Sequence, residues 1–113
     1  MNLNQRSQLK TIEDLKNYLV NYFADKKVRV YLFGSRARGT NSPHSDVDLA
    51  IESKEDLSRE VTLLRFILEE SNLPYKVDLV MLSEVDASMQ EVIKKEGKIW
   101  IDTLYLKGSL NSL

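Results

Sequence analysis

Gly34-Ser35-Arg36-Ala37-Arg38-Gly39-Thr40-Asn41-Ser42-Pro43-His44-Ser45-Asp46-Val47-Asp48 places a glycine-serine turn eleven residues ahead of two aspartates that flank one apolar residue. On its amino-terminal side, Val28-Arg29-Val30-Tyr31-Leu32-Phe33 is rich in β-branched and aromatic residues and stops at Gly34, the pattern of a mostly buried strand ending in a loop. On the other side, Asp46-Val47-Asp48-Leu49-Ala50-Ile51 is a second strand-like run. Side chains alternate along a strand, so Asp46 and Asp48 share one face and Val47 and Leu49 take the other.

Two aspartates on one face at a strand's start are costly, because aspartate is a poor strand former and neighbouring like charges oppose each other's ionisation. A divalent cation removes that cost. Magnesium takes oxygen ligands and is commonly held by one or two carboxylates together with substrate phosphates. The turn suits those phosphates: Gly34 lets backbone approach a ligand, exposed amides and the Ser35 hydroxyl donate, and Arg36 and Arg38 balance charge. No argument from sequence separates the two arginines. Thr40 follows Gly39 where a P-loop requires lysine, so this is not a Walker A loop. Taken singly, Gly-Ser is an ordinary turn and Asp-x-Asp an ordinary solvated loop. Their combination with an immediate apolar run is what points to a site.

Tyr75-Lys76-Val77-Asp78-Leu79-Val80-Met81-Leu82, after Pro74, is a third strand-like run that Asp78 interrupts. A carboxylate in such a setting must be paired, hydrated or coordinated. If this strand neighbours the Asp46/Asp48 strand, three carboxylates converge, as two-metal phosphoryl or nucleotidyl transfer needs. The alternative is a pairing of Asp78 with Lys76 at a strand edge. His44, the sole histidine, either contacts phosphate or is a solvated loop residue.

In this order, Gly34-Ser35, Asp46-x-Asp48 and then Asp78 in an apolar strand, the sequence resembles the minimal nucleotidyltransferases, a small-domain branch of the DNA polymerase β superfamily. The likeness runs from about Leu15 through Lys95 and includes Tyr31 to Gly39 and Ser45 to Ala50. It implies an α/β (α+β) fold, a small mixed sheet of four strands backed by helices. It also implies transfer of a nucleoside monophosphate from a triphosphate, ATP, to an acceptor hydroxyl with Mg2+. Gly34 and Ser35 would hold the triphosphate, with Arg36 or Arg38 assisting, and Asp46, Asp48 and Asp78 would be catalytic and hold metal. Many members of that family are antitoxins that adenylylate a tyrosine on a partner ribonuclease toxin of the HEPN type. A small-molecule or RNA acceptor, or an antitoxin that acts by occlusion without catalysis, are the competing expectations.

The 113 residues, 1–113, suffice for one domain with a single core. A net charge of −1 gives no general attraction to nucleic acid, so a nucleic acid is not expected as a direct partner. With no cysteine there is no disulfide framework, thiolate metal site or thiol nucleophile. No apolar run reaches membrane-spanning length and Met1 to Arg6 lacks a signal-peptide core, so the expected setting is cytoplasmic, with no membrane partner.

Helical spacing predicts amphipathic helices over Thr11 to Ala24, with Thr11 as cap, over Ser58 to Glu70, with Ser58 as cap, and over Glu84 to Glu96, stopped by Gly97. The helix between the second and third strands makes a crossover that lets them run parallel. Ser35 to Arg38 is a candidate short helix, followed by a polar loop expected to be mobile. Met81 and Met89 are expected core fillers, and Lys98 to Asp102 a short edge strand. Leu104, Tyr105, Leu106, Leu110 and Leu113 in the tail either fold back or mark an interface; the interface is favoured, with a homo- or hetero-oligomer as its consequence.

Overall fold

In a computed structural model, residues 8–106 are described. Helix α1, Ile12–Tyr22, opens on a capping box. The Thr11 hydroxyl accepts from the Asp14 amide at 3.0 Å, and the Asp14 carboxylate accepts from the amides of Thr11 at 3.1 Å and Lys10 at 3.0 Å. The amide of Lys10 contributes most to holding the Asp14 carboxyl below its usual pKa. Strand β1, Val28–Phe33, is followed by the single helical turn α2, Ser35–Arg38, and by β2, Val47–Ser53. The crossover helix α3, Ser58–Glu69, leads to β3, Val77–Met81. A 3-10 turn, Leu82–Glu84, precedes α4, Ala87–Glu96, and β4, Lys98–Asp102.

The strand order is β3-β2-β1-β4. β1 runs antiparallel to both β2 and β4, and β2 runs parallel to β3, as a helical crossover allows. The sheet is mixed, as the family resemblance implies, and β4 is an edge strand. Residues of one parity, Val28, Val30, Leu32, Val47, Leu49 and Ile51, bury one sheet face against Leu15 and Leu19 of α1 and Val61 and Leu64 of α3. Leu15, Leu19 and Leu64 are wholly buried, which is worth about 2 kcal/mol each. The opposite parity builds a much smaller cluster, Tyr31 and Ala50 under Leu82 of the 3-10 turn and Ile93 of α4. That thinly covered face carries Asp48 at one end and Glu52 at the other.

Several local expectations change. Leu57, not Ser58, is the cap position of α3, because the Ser58 amide and hydroxyl both donate to the Asp56 carboxylate. Helix α4 starts at Ala87 and not Glu84, since the Asp86 carboxylate accepts from the Met89 amide at 2.8 Å and caps it there. Met81 is a core residue, but Met89 and Val92 are exposed, because α4 covers only one small cluster and presents Ile93 alone to it. In the tail Leu104 folds back and is buried, while Tyr105 and Leu106 are exposed. Leu110 and Leu113 lie outside the described residues.

Candidate active site

The register assembles the site. Phe33, the last residue of β1, faces Asp48, and Asp48 faces Asp78 on the parallel strand. Gly34 therefore turns directly beside the Asp48 carboxylate. Its backbone, φ 75° and ψ −155°, lies in a region that only glycine occupies comfortably. A Cβ at Gly34 would also collide with Oδ2 of Asp48. Both facts require glycine at the same position, and the second shows how close the turn's backbone comes to the carboxylate. No side chain caps α2, so the amides that open this turn are left to solvent or a ligand.

Asp46 stands one residue ahead of β2, exposed, on the parity of Asp48. Asp48 is half-buried and Asp78 exposed, because β3 is an edge strand and not the buried strand its apolar run suggests. Burial raises the Asp48 pKa, and the charges of Asp78 and Asp46 raise it further, while Arg38 and Lys76 pull the other way. Among the described residues no ion pair involves any of the three aspartates, and Asp78 does not pair with Lys76. Nor do three metal-ligating side chains already stand gathered as a closed cluster there. The donor set nonetheless fits a hard divalent cation: three oxygen-donor carboxylates, one of them driven towards its neutral form by burial and then by the other two.

Arg36 does something different from Arg38. Its Nε and Nη2 donate to the Ser45 carbonyl at 3.1 and 2.9 Å, Nη2 also donates to Pro43 O at 3.3 Å, and the guanidinium stacks 4.8 Å above the Tyr75 ring. Ser42 and Ser45 bond each other, the Ser42 amide to the Ser45 hydroxyl at 2.9 Å. The loop expected to be mobile is thus braced at several points. His44 is exposed in it.

Tyr75 is the residue that sequence reasoning passed over, and Lys76 was considered only as a partner for Asp78. The parity of Lys76 with Asp78 was a readable sign that it faces the carboxylates; nothing local marks Tyr75 as the platform for Arg36. Beside Asp78, between α3 and the β3 edge, a cleft of about 330 Å³ is lined by Arg65, Tyr75, Lys76 and Asp78 among others. A larger groove of about 590 Å³ lies along α1, away from the carboxylates on the other side of the sheet.

Residues 13–105 match the family described as Polymerase beta, Nucleotidyltransferase, and the chain belongs to that family. It is 39% identical over 69 residues to the probable protein adenylyltransferase MntA of Haemophilus influenzae, an alignment covering 58% of this chain and 59% of that one. The match thus spans less than two thirds of that relative's length. Among solved structures, a toxin-antitoxin with AMP-PNP is similar with a TM-score of 0.54 and 25% identity, over 78% of this chain and 73% of the other. A mutant of the toxin-antitoxin MntA-HpeT is similar with a TM-score of 0.52 and 26% identity, over 78% of this chain and 72% of the other.

Proposed function

We propose that the protein transfers AMP from ATP to a hydroxyl, with Mg2+, and that the acceptor is a tyrosine of a partner toxin of the HEPN ribonuclease type. The observation that carries this reading is the meeting of Gly34 and Asp48 at the end of β1, with Asp78 opposite in register. Triphosphate and carboxylates then share one small volume. The likeness to a probable protein adenylyltransferase and to toxin-antitoxin structures supports the choice of acceptor.

In this reading the Ser35 hydroxyl and the amides opening α2 hold the triphosphate. Arg38, exposed and electrostatically coupled to Asp48, offsets its charge. Asp46, Asp48 and Asp78 would hold Mg2+, which supplies charge neutralisation at the phosphates and lowers the pKa of the attacking hydroxyl. The acceptor hydroxyl gives up its proton to solvent as its oxygen bonds to the α-phosphorus, the bond from that phosphorus to the bridging oxygen breaks, and pyrophosphate leaves with the electron pair. Asp78, exposed at the sheet edge beside an open cleft, is where an acceptor side chain from another molecule can reach.

The test is mass spectrometry after incubation with ATP, Mg2+ and the product of the neighbouring reading frame as the candidate toxin. Added adenylyl mass on a toxin tyrosine is expected. No added mass, with toxin still neutralised, would favour occlusion instead; label appearing on RNA or a small molecule would replace the acceptor.

A further inference from the structure

Three stretches supply the candidate site, and they meet at one guanidinium. Arg36 belongs to the turn that follows Gly34-Ser35. Its bidentate contact is to Ser45 O, the carbonyl of the peptide unit that carries the Asp46 amide. A peptide unit is planar, so fixing that oxygen fixes the plane from which Asp46 departs. The Tyr75 ring lies beneath the guanidinium and comes from the segment entering β3, whose next residue, Lys76, accepts the Val47 amide at 2.9 Å. Asp46 itself is exposed and one residue short of the strand, so no ladder hydrogen bond fixes it.

We propose that Arg36, seated on Tyr75, is a positioning residue that aims the Asp46 carboxylate at the metal and does not itself bind phosphate. The guanidinium's donors on Nε and Nη2 are spent on loop carbonyls, whereas Arg38 is exposed and acts electrostatically on Asp48. A lysine cannot replace it, because a point charge lacks the fork that grips Ser45 O while lying flat on a ring. The inference rests on the magnesium reading above but not on the identity of the acceptor.

Mn2+ serves as the probe, its binding followed by electron paramagnetic resonance without nucleotide or acceptor. Arg36→Lys and Tyr75→Ala should each weaken Mn2+ binding roughly ten-fold, the scale of losing a group that orients a ligand, and Tyr75→Phe should restore it. In transfer assays the same variants should lower kcat more than they raise the KM for ATP, while Arg38→Ala raises that KM. Unchanged Mn2+ affinity in Arg36→Lys and Tyr75→Ala would overturn the proposal. So would a KM effect in Arg36→Lys matching that of Arg38→Ala, which would make Arg36 a phosphate ligand. Thermal unfolding of each variant separates this from simple loss of fold: a lowered Tm with Mn2+ affinity intact well below it also refutes the positioning role. If Arg36 governs Mn2+ binding but no toxin is modified, the acceptor assignment fails and this inference stands.

Discussion

Asp48 and Glu52 stand four residues apart on the same face of β2, and the fold treats them in opposite ways. At the Glu52 end the carboxylate is compensated. It accepts from the Tyr31 hydroxyl at 2.7 Å and lies 3.5 Å from Lys94 Nζ and 4.0 Å from Arg29 Nη1, while Arg29 also pairs with Asp102 at 3.0 Å. Tyr31 first and then Asp102 raise the Arg29 pKa above its ordinary value, against the opposing effect of burial. At the Asp48 end two further carboxylates arrive, and no cation closes on them among the described residues. Strand alternation delivers both acids to the face equally well. What distinguishes structure from chemistry is whether the fold satisfies the charge, and at Asp48 the fold leaves that to a ligand.

That contrast is broken most severely at its functional end. On the proposed reading, in which Asp48 helps hold the metal, Asp48→Asn should lower nucleotidyl transfer about a thousand-fold, since several kcal/mol of charge stabilisation would depend on that metal. Its metal-free fold should lose no stability in urea. A variant that unfolds more readily and transfers normally would reverse the assignment of the two ends. Gly34→Ala comes next: a non-glycine residue at φ 75° and ψ −155°, with its Cβ driven into Asp48, should cost about 3 kcal/mol. Pairing it with Asp48→Ala should return part of that loss, because one partner in the collision is gone. Strict additivity in urea melts would show that backbone conformation alone demands the glycine.

At the compensated end the expected effects fall on stability instead. Glu52→Ala leaves the Tyr31 hydroxyl without its acceptor and removes the carboxylate beside Lys94 and Arg29, although Arg29 keeps Asp102, a loss of about 2 kcal/mol. Transfer per folded molecule should stay at the wild-type rate.

Much of this arrangement is readable in the sequence because its causes are local. Alternation puts Asp46 and Asp48 on one face whatever surrounds them, and Gly34 closes β1 at the place its apolar run predicts. Asp78 is visible as an interruption, yet its exposure follows from the strand order, which places β3 at an edge. Met89 misleads for a related reason: helical spacing shows that α4 has an apolar stripe but not how little of the sheet remains for it to cover. The Arg36 strut is illegible, since residues 36, 45 and 75 meet only once the crossover has brought β3 beside β2.

The smallest effect, a pH dependence, sets the two ends against each other. The Asp48 pKa is raised chiefly by burial, then by Asp78 and Asp46, so the folded metal-free protein holds that proton more tightly than the unfolded chain. Stability therefore increases as pH falls through the raised pKa towards the ordinary value of 3.8 and decreases as pH rises through the same window. Tyr31 is also raised, burial again the largest cause, with the Arg29 hydrogen bond opposing and Glu52 reinforcing. Its neutral phenol is the form the fold accommodates, so stability is complete below the ordinary value of 10.0 and is lost as pH rises beyond it. Comparing urea midpoints of wild type, Asp48→Asn and Tyr31→Phe across pH isolates each limb from the other carboxylates. Asp48→Asn should remove part of the acid-side gain alone. Tyr31→Phe should flatten the alkaline limb alone, at a cost near neutrality of about 1 kcal/mol for the lost hydrogen bond. Should Asp48→Asn leave the acid limb unchanged, its carboxylate is already compensated in the metal-free protein, and the difference between the two ends of β2 disappears.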